Sequence, residues 1–167
     1  MSISMRATPK ETQMAKILVV DDSVTVAKYV EMVLTAEGHS MAFALDGDEA
    51  IARIKNEKYD LLILDVVMPH KNGFQLCREI KNNEQYKSIP VIMLTTKGTE
   101  SDKFWGMRQG ANEYLTKPCN PEDLVGAVNR YVHNTILSEN KRPADTRPRE
   151  MPTCKEVSKN PFYRFNN

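Results

Sequence analysis

The sequence predicts an α/β fold, a doubly wound parallel sheet with helices on both faces. Three observations carry this. Strand-like and helix-like hydrophobic periods alternate five times between residues 16 and 137. The apolar runs are near-continuous, as in LLIL at 61–64, which suits strands buried on both sides. Charged and hydroxyl residues stand directly after those runs, where open parallel sheets gather their chemistry.

The first strand is expected at Ile17–Val20, ending in Asp21-Asp22. Ser23 then reads as a helix start, Val26, Val30, Val33 and Leu34 share one helical face, and Gly38 reads as a stop. The second strand falls at Met41–Ala44, followed by a helical face of Ala50, Ile51 and Ile54. Leu61–Leu64 forms the third strand and ends in Asp65; Phe74, Cys77 and Ile80 mark the next helix. Val91–Leu94 is the fourth strand, ending in Thr95, and a fourth helix carries Trp105. The fifth strand is weaker, at Tyr114–Leu115, and runs into Lys117-Pro118. Asn120–Pro121 opens the last helix, with Leu124, Val128 and Val132 on its apolar face.

The 167 residues divide into three parts. Residues 1–15 read as a flexible arm, 16–137 as the folded domain, and 138–167 as a proline-rich basic tail without enough apolar residues to make a core. The net charge of +1 is a cancellation, because residues 16–137 hold 14 basic and 17 acidic groups while 138–167 hold seven and four. A polybasic nucleic-acid binder is therefore not expected, and 30 proline-rich residues cannot form a helix-turn-helix. Three scattered cysteines, Cys77, Cys119 and Cys154, give no zinc spacing or disulfide frame and suggest free thiols in a reducing compartment. With no long apolar run and no signal-peptide core, a cytoplasmic protein is expected.

Asp21, Asp22, Asp65, Thr95 and Lys117 are thus expected to converge on one sheet edge. Three carboxylates in one pocket repel, and a hard cation relieves the repulsion; oxygen ligands with room for water suit Mg²⁺. A carboxylate can also attack phosphorus, with an ammonium balancing charge on the transferring group. Any one of these residues alone is ordinary: an Asp after a strand is usually a turn or a cap. Their joint placement on four strand ends carries the functional reading.

At these residues the sequence resembles the receiver domain of two-component response regulators. The matching motifs are VVDDS (19–23), LDVVMPHKNG (64–73), VIMLTT (91–96) and YLTKP (114–118), with 43 residues from Asp22 to Asp65, 30 to Thr95 and 22 to Lys117. The resemblance implies a flavodoxin-like sheet of five parallel strands, order 2-1-3-4-5, with five helices. It implies that Asp65 is the phosphoacceptor, that Asp21, Asp22, Asp65 and the backbone carbonyl of Val67 hold Mg²⁺, and that Thr95 and Lys117 contact the phosphoryl group. Thr95 and Tyr114 correspond to the switch pair, and Lys117–Pro118 to a peptide that is commonly cis.

It further implies a phosphorelay role with no catalysis beyond the protein's own phosphorylation and dephosphorylation. The expected partners are a histidine kinase or a histidine phosphotransfer domain, and a downstream protein read by the fourth helix, fifth strand and fifth helix. The stretch 103–124 is similar to stand-alone regulators of chemotaxis-like systems for type IV pilus twitching and phototaxis, including cyanobacterial ones. Three positions depart from common members: Val67 is apolar, Lys97 is basic, and Thr96 is larger than the usual small residue. The first two predict a long-lived acyl phosphate. Rival readings are a phosphatase with an Asp nucleophile, disfavoured because Val-Val-Met follows Asp65 where a DxD is wanted, and a phosphorylation-independent scaffold or tail-mediated interaction protein. For the tail, Pro161-Phe162-Tyr163-Arg164-Phe165 offers three aromatics in five residues, suited to docking on a partner or back on the acidic domain.

Overall fold

A computed structural model describes residues 14–139. Ten elements alternate: β1 Lys16–Val20, α1 Val24–Ala36, β2 Ser40–Ala44, α2 Gly47–Asn56, β3 Leu61–Leu64, α3 Gly73–Asn82, β4 Val91–Thr95, α4 Glu100–Arg108, β5 Glu113–Thr116 and α5 Pro121–Glu139. All strand pairs are parallel, and the sheet order is β2-β1-β3-β4-β5. The α/β class, the strand order and the count of five helices are those the sequence and the resemblance led us to expect. The motifs 140–167, including Cys154 and the aromatic run 161–165, lie outside the described residues, as do residues 1–13 of the expected arm.

Alternation along each strand divides the core in two. Leu18, Val20, Leu62, Leu64 and Met93 face one side, where Ala50 and Ile54 of α2 and Leu76, Cys77 and Ile80 of α3 cover them. Ile17, Val19, Leu61, Ile63, Ile92 and Leu94 face the other, against Val30, Val33 and Leu34 of α1 and Leu124, Ala127 and Val128 of α5. This explains the unbroken apolar strands: successive side chains point to opposite faces, and both faces are dry. Ala15, just before β1, is also buried, and its carbonyl accepts from Ser40 N at 2.9 Å.

The helix starts are fixed by side-chain caps. Ser23 accepts from Val26 N, and Asp46 accepts from Asp48 N and Glu49 N. Asn72 with Gln75, and Thr99 with Asp102, form reciprocal capping boxes. Gly38 takes a φ of +87° where α1 ends, a conformation glycine adopts without a Cβ clash. Among the described residues no helix is long and apolar enough to cross a membrane.

Candidate functional site

The carboxyl ends of β1, β3 and β4 are aligned by backbone hydrogen bonds that continue past the strands. Asp21 N donates to Ala44 O at 3.1 Å, Asp65 N to Val20 O at 2.9 Å, and Lys117 N to Thr95 O at 2.8 Å. Each residue is therefore held at the rim by the sheet itself. Asp21 and Asp65 are buried, Asp22 is exposed, and one carboxylate oxygen from each lies within 4.8 Å of the others. Lys117 reaches over from the end of β5: its Nζ donates to Asp21 Oδ2 at 2.6 Å and to Asp65 Oδ2 at 3.1 Å. Its side chain is only 13 % exposed, so the ammonium is held in the pocket rather than in bulk water.

Local backbone groups orient the two buried acids. Ser23 N donates to Asp21 Oδ1 at 2.8 Å, and Val67 N donates to Asp65 Oδ1 at 3.1 Å. In each acid one carboxylate oxygen takes a backbone amide and the other takes Lys117. The donor set is all oxygen, and three carboxylates face one ammonium, which leaves an excess of negative charge. That chemistry fits a hard divalent cation such as Mg²⁺.

Thr95 and Tyr114 stand beside this cluster and share one partner. The buried Thr95 Oγ1 accepts from Lys97 N at 3.3 Å, and Tyr114 Oη donates to Lys97 O at 2.8 Å. The backbone of Lys97 thus links the end of β4 to the phenol of β5. The Tyr114 ring lies against α4 at Gly106, where an added Cβ would come within 2.7 Å of its Cδ2. Burial, with smaller contributions from Asp102 and Asp65, pushes the Tyr114 phenol up to about 12. The Lys117–Pro118 peptide is cis. Val67, two residues after Asp65, is half exposed, and its side chain has no polar atom to offer the pocket.

One residue of the site was quoted in a motif without being given a task. Gly73 opens α3, and its N donates to Val66 O at 3.0 Å. A Cβ there would overlap the Asp65 carbonyl oxygen and lie 2.8 Å from Asp65 C and 2.9 Å from Val66 Cα. The available signal was a glycine directly after the cap residue Asn72, where a close backbone approach is a standing reason for glycine.

Comparison with known proteins agrees with this geometry. Residues 17–129 match the model of the response regulator receiver domain. The chain is similar to protein PilH of Pseudomonas aeruginosa, 44% identical over 116 residues, covering 70% of this chain and 96% of PilH. Protein PilG of the same organism is 40% identical over 117 residues, covering 70% of this chain and 87% of PilG. Among solved structures, the Vibrio cholerae chemotaxis protein CheY4 aligns with a TM-score of 0.67 at 38% identity, covering 71% of this chain and 98% of that one. A response regulator structure from Chloroflexus aurantiacus aligns at 0.70 with 37% identity, covering 72% and 99%. With the acid cluster, the sheet order and the matched segment in agreement, the chain belongs to the response regulator receiver domain family.

Proposed function

We propose that this protein receives a phosphoryl group on Asp65 from the phosphohistidine of a histidine kinase or a histidine phosphotransfer domain. The observation that carries the reading is the Lys117 ammonium shared by Asp21 and Asp65 beside Asp22. An Asp65 carboxylate oxygen attacks phosphorus, a P–O bond forms, and the P–N bond to the donor imidazole breaks as the imidazole leaves with its electron pair. Asp21, Asp22, Asp65 and the Val67 carbonyl are the residues that would hold Mg²⁺, which when bound supplies positive charge to the transferring oxygens. Lys117 exchanges its carboxylate contact for one to the phosphoryl group and so keeps the modified site balanced. No reaction on an external substrate is part of this role.

Phosphorylation gives Thr95 a new acceptor. Its hydroxyl turns from the Lys97 amide toward the phosphoryl group, the Lys97 backbone follows, and Tyr114 is repositioned through its bond to Lys97 O. Two packings of α4 and β5 then differ in affinity for a downstream protein that docks on the α4, β5 and α5 face. Similarity to PilH, PilG and CheY4 supports a place in a motility or taxis pathway, acting in the cytoplasm through protein docking and not through nucleic acid. The test is labelling by acetyl phosphate with Mg²⁺: wild type is expected to label and Asp65→Asn to lose the label. Labelling of Asp65→Asn at the full rate would overturn the assignment.

A further inference from the structure

An open apolar groove of about 390 Å³ runs between α1 and α5, and none of the acid-cluster residues lines it. Met32, Val33, Ala36, Pro121 and Val125 form its apolar lining, and Glu37 and Glu122 also line it. Met32 is 67% exposed, a large apolar side chain with nothing over it among the described residues. The walls are tied together: Tyr29 Oη of α1 donates to Cys119 O, just before α5, at 2.6 Å. Val30 and Val33 of α1 share a buried cluster with Leu124 and Val128 of α5 below the groove. The groove is preformed, so an occupant meets little reorganisation cost.

We infer that the occupant is the end of this same chain, Lys159–Asn167. This segment reads Lys-Asn-Pro-Phe-Tyr-Arg-Phe-Asn-Asn, with three aromatics, two cations and no acid. Aromatic side chains bring large apolar area at a small entropy cost, which suits a shallow apolar groove. Lys159 and Arg164 complement Glu37 and Glu122 in charge. Reach agrees as well. The groove lies by the first turns of α5 and the chain leaves that helix at Glu139, so the tail must return along 19 residues, about 28 Å at the helical rise. A random coil the length of the 19 intervening residues, 140–158, would have a root-mean-square span of about 24 Å. When span and linker match in this way, the local concentration of the tethered segment is on the order of millimolar, so even a weak intrinsic contact is mostly occupied. The inference does not depend on the phosphoacceptor reading, since it uses none of Asp21, Asp22, Asp65 or Lys117.

The test uses the full chain, isotope-labelled for amide NMR, with a nitroxide at Asn166→Cys and with Cys119→Ser and Cys154→Ser removing competing thiols. Cys77 stays, because burial pushes its thiol up to about 11 and shields it from the label. The amides of Met32, Ala36, Glu122 and Val125 are expected to lose most of their intensity, while those of Ile54 and Cys77, under the opposite face, keep theirs. Adding Phe162→Ser, Tyr163→Ser and Phe165→Ser to the labelled chain is expected to restore the groove signals. Full intensity at the groove amides overturns the inference, as does broadening that survives the triple substitution. Broadening that arises only when spin-labelled and isotope-labelled molecules are mixed places the tail of a second copy in the groove and also overturns it.

Discussion

Lys117 is the residue on which the acid cluster depends. It donates to two buried carboxylates at once, while the backbone amides of Ser23 and Val67 take the remaining oxygens. The convergence of Asp21, Asp22, Asp65, Thr95 and Lys117 was legible in the sequence because each ends or follows a strand, and a sheet edge collects whatever follows its strands. Two contributions were not legible. Backbone groups such as the Lys97 peptide carry no side-chain signature, and Gly73 acts by what it lacks. Gly73→Ala is expected to displace the Asp65 backbone, destabilising the fold by about 1–3 kcal/mol as overpacking does. Urea denaturation checks the stability, and the variant is also expected to accept phosphoryl from acetyl phosphate more slowly; unchanged values for both would contradict the close approach. Val67 offers no group to orient an attacking water and Lys97 places a cation where an acid or amide would accept from one, so an acyl phosphate at Asp65 is expected to persist for minutes or longer. Val67→Asn and Lys97→Glu should each shorten it in a radiolabel decay assay, and a wild-type half-life of seconds would contradict this.

At the scale of elements, α4 is the exception. The other helices could be placed from their apolar faces, but α4 has none: Phe104, Trp105 and Met107 are all about half exposed, and Gly106 is its buried residue. Trp105 lies edge-on to Phe104 at 6.1 Å, and the Arg108 guanidinium sits 5.3 Å from the Phe104 ring centroid, so the exposed aromatics pack on one another. A helix seated on a glycine, with its large side chains outward, is held lightly and is well placed to shift. Its contact with Tyr114 is through the missing Cβ of Gly106. Gly106→Ala is therefore expected to push the Tyr114 ring outward and lower its pKa from about 12 toward the ordinary value, a change that ultraviolet titration of Tyr114→Phe difference spectra would register. The same shift has a stability consequence. A phenol whose folded pKa lies above its unfolded one stabilises the fold fully below about pH 10, and that contribution is lost as pH rises from about 10 to 12. Across that window the stability advantage of wild type over Tyr114→Phe is expected to shrink in denaturant melts; a constant difference would contradict the partly buried position of the phenol.

At the scale of the whole molecule, the parallel sheet was readable from its doubly buried strands, and LLIL at 61–64 is the plainest case. Leu62 and Ile63 point to opposite clusters, yet both are fully or almost fully buried. Leu62→Ala is expected to cost about 2–5 kcal/mol, the range for truncating a fully buried leucine, with a matching fall in urea midpoint. The groove between α1 and α5 was not readable, because its lining residues belong to two helices 84 or more residues apart in the chain and no local pattern joins Met32 to Pro121. The acidic domain and the basic tail were readable once the net charge of +1 was divided by segment.

All three scales converge on the carboxylate rim, and its proposed role as a phosphoacceptor is testable at a single residue. Phosphorylation with acetyl phosphate and Mg²⁺, followed by borohydride reduction and peptide mass mapping, converts an aspartyl phosphate to homoserine at the modified position. We expect homoserine at residue 65 alone. Homoserine at Asp21, Asp22 or any other aspartate, or a reduction-resistant phosphate on a hydroxyl, would contradict the account.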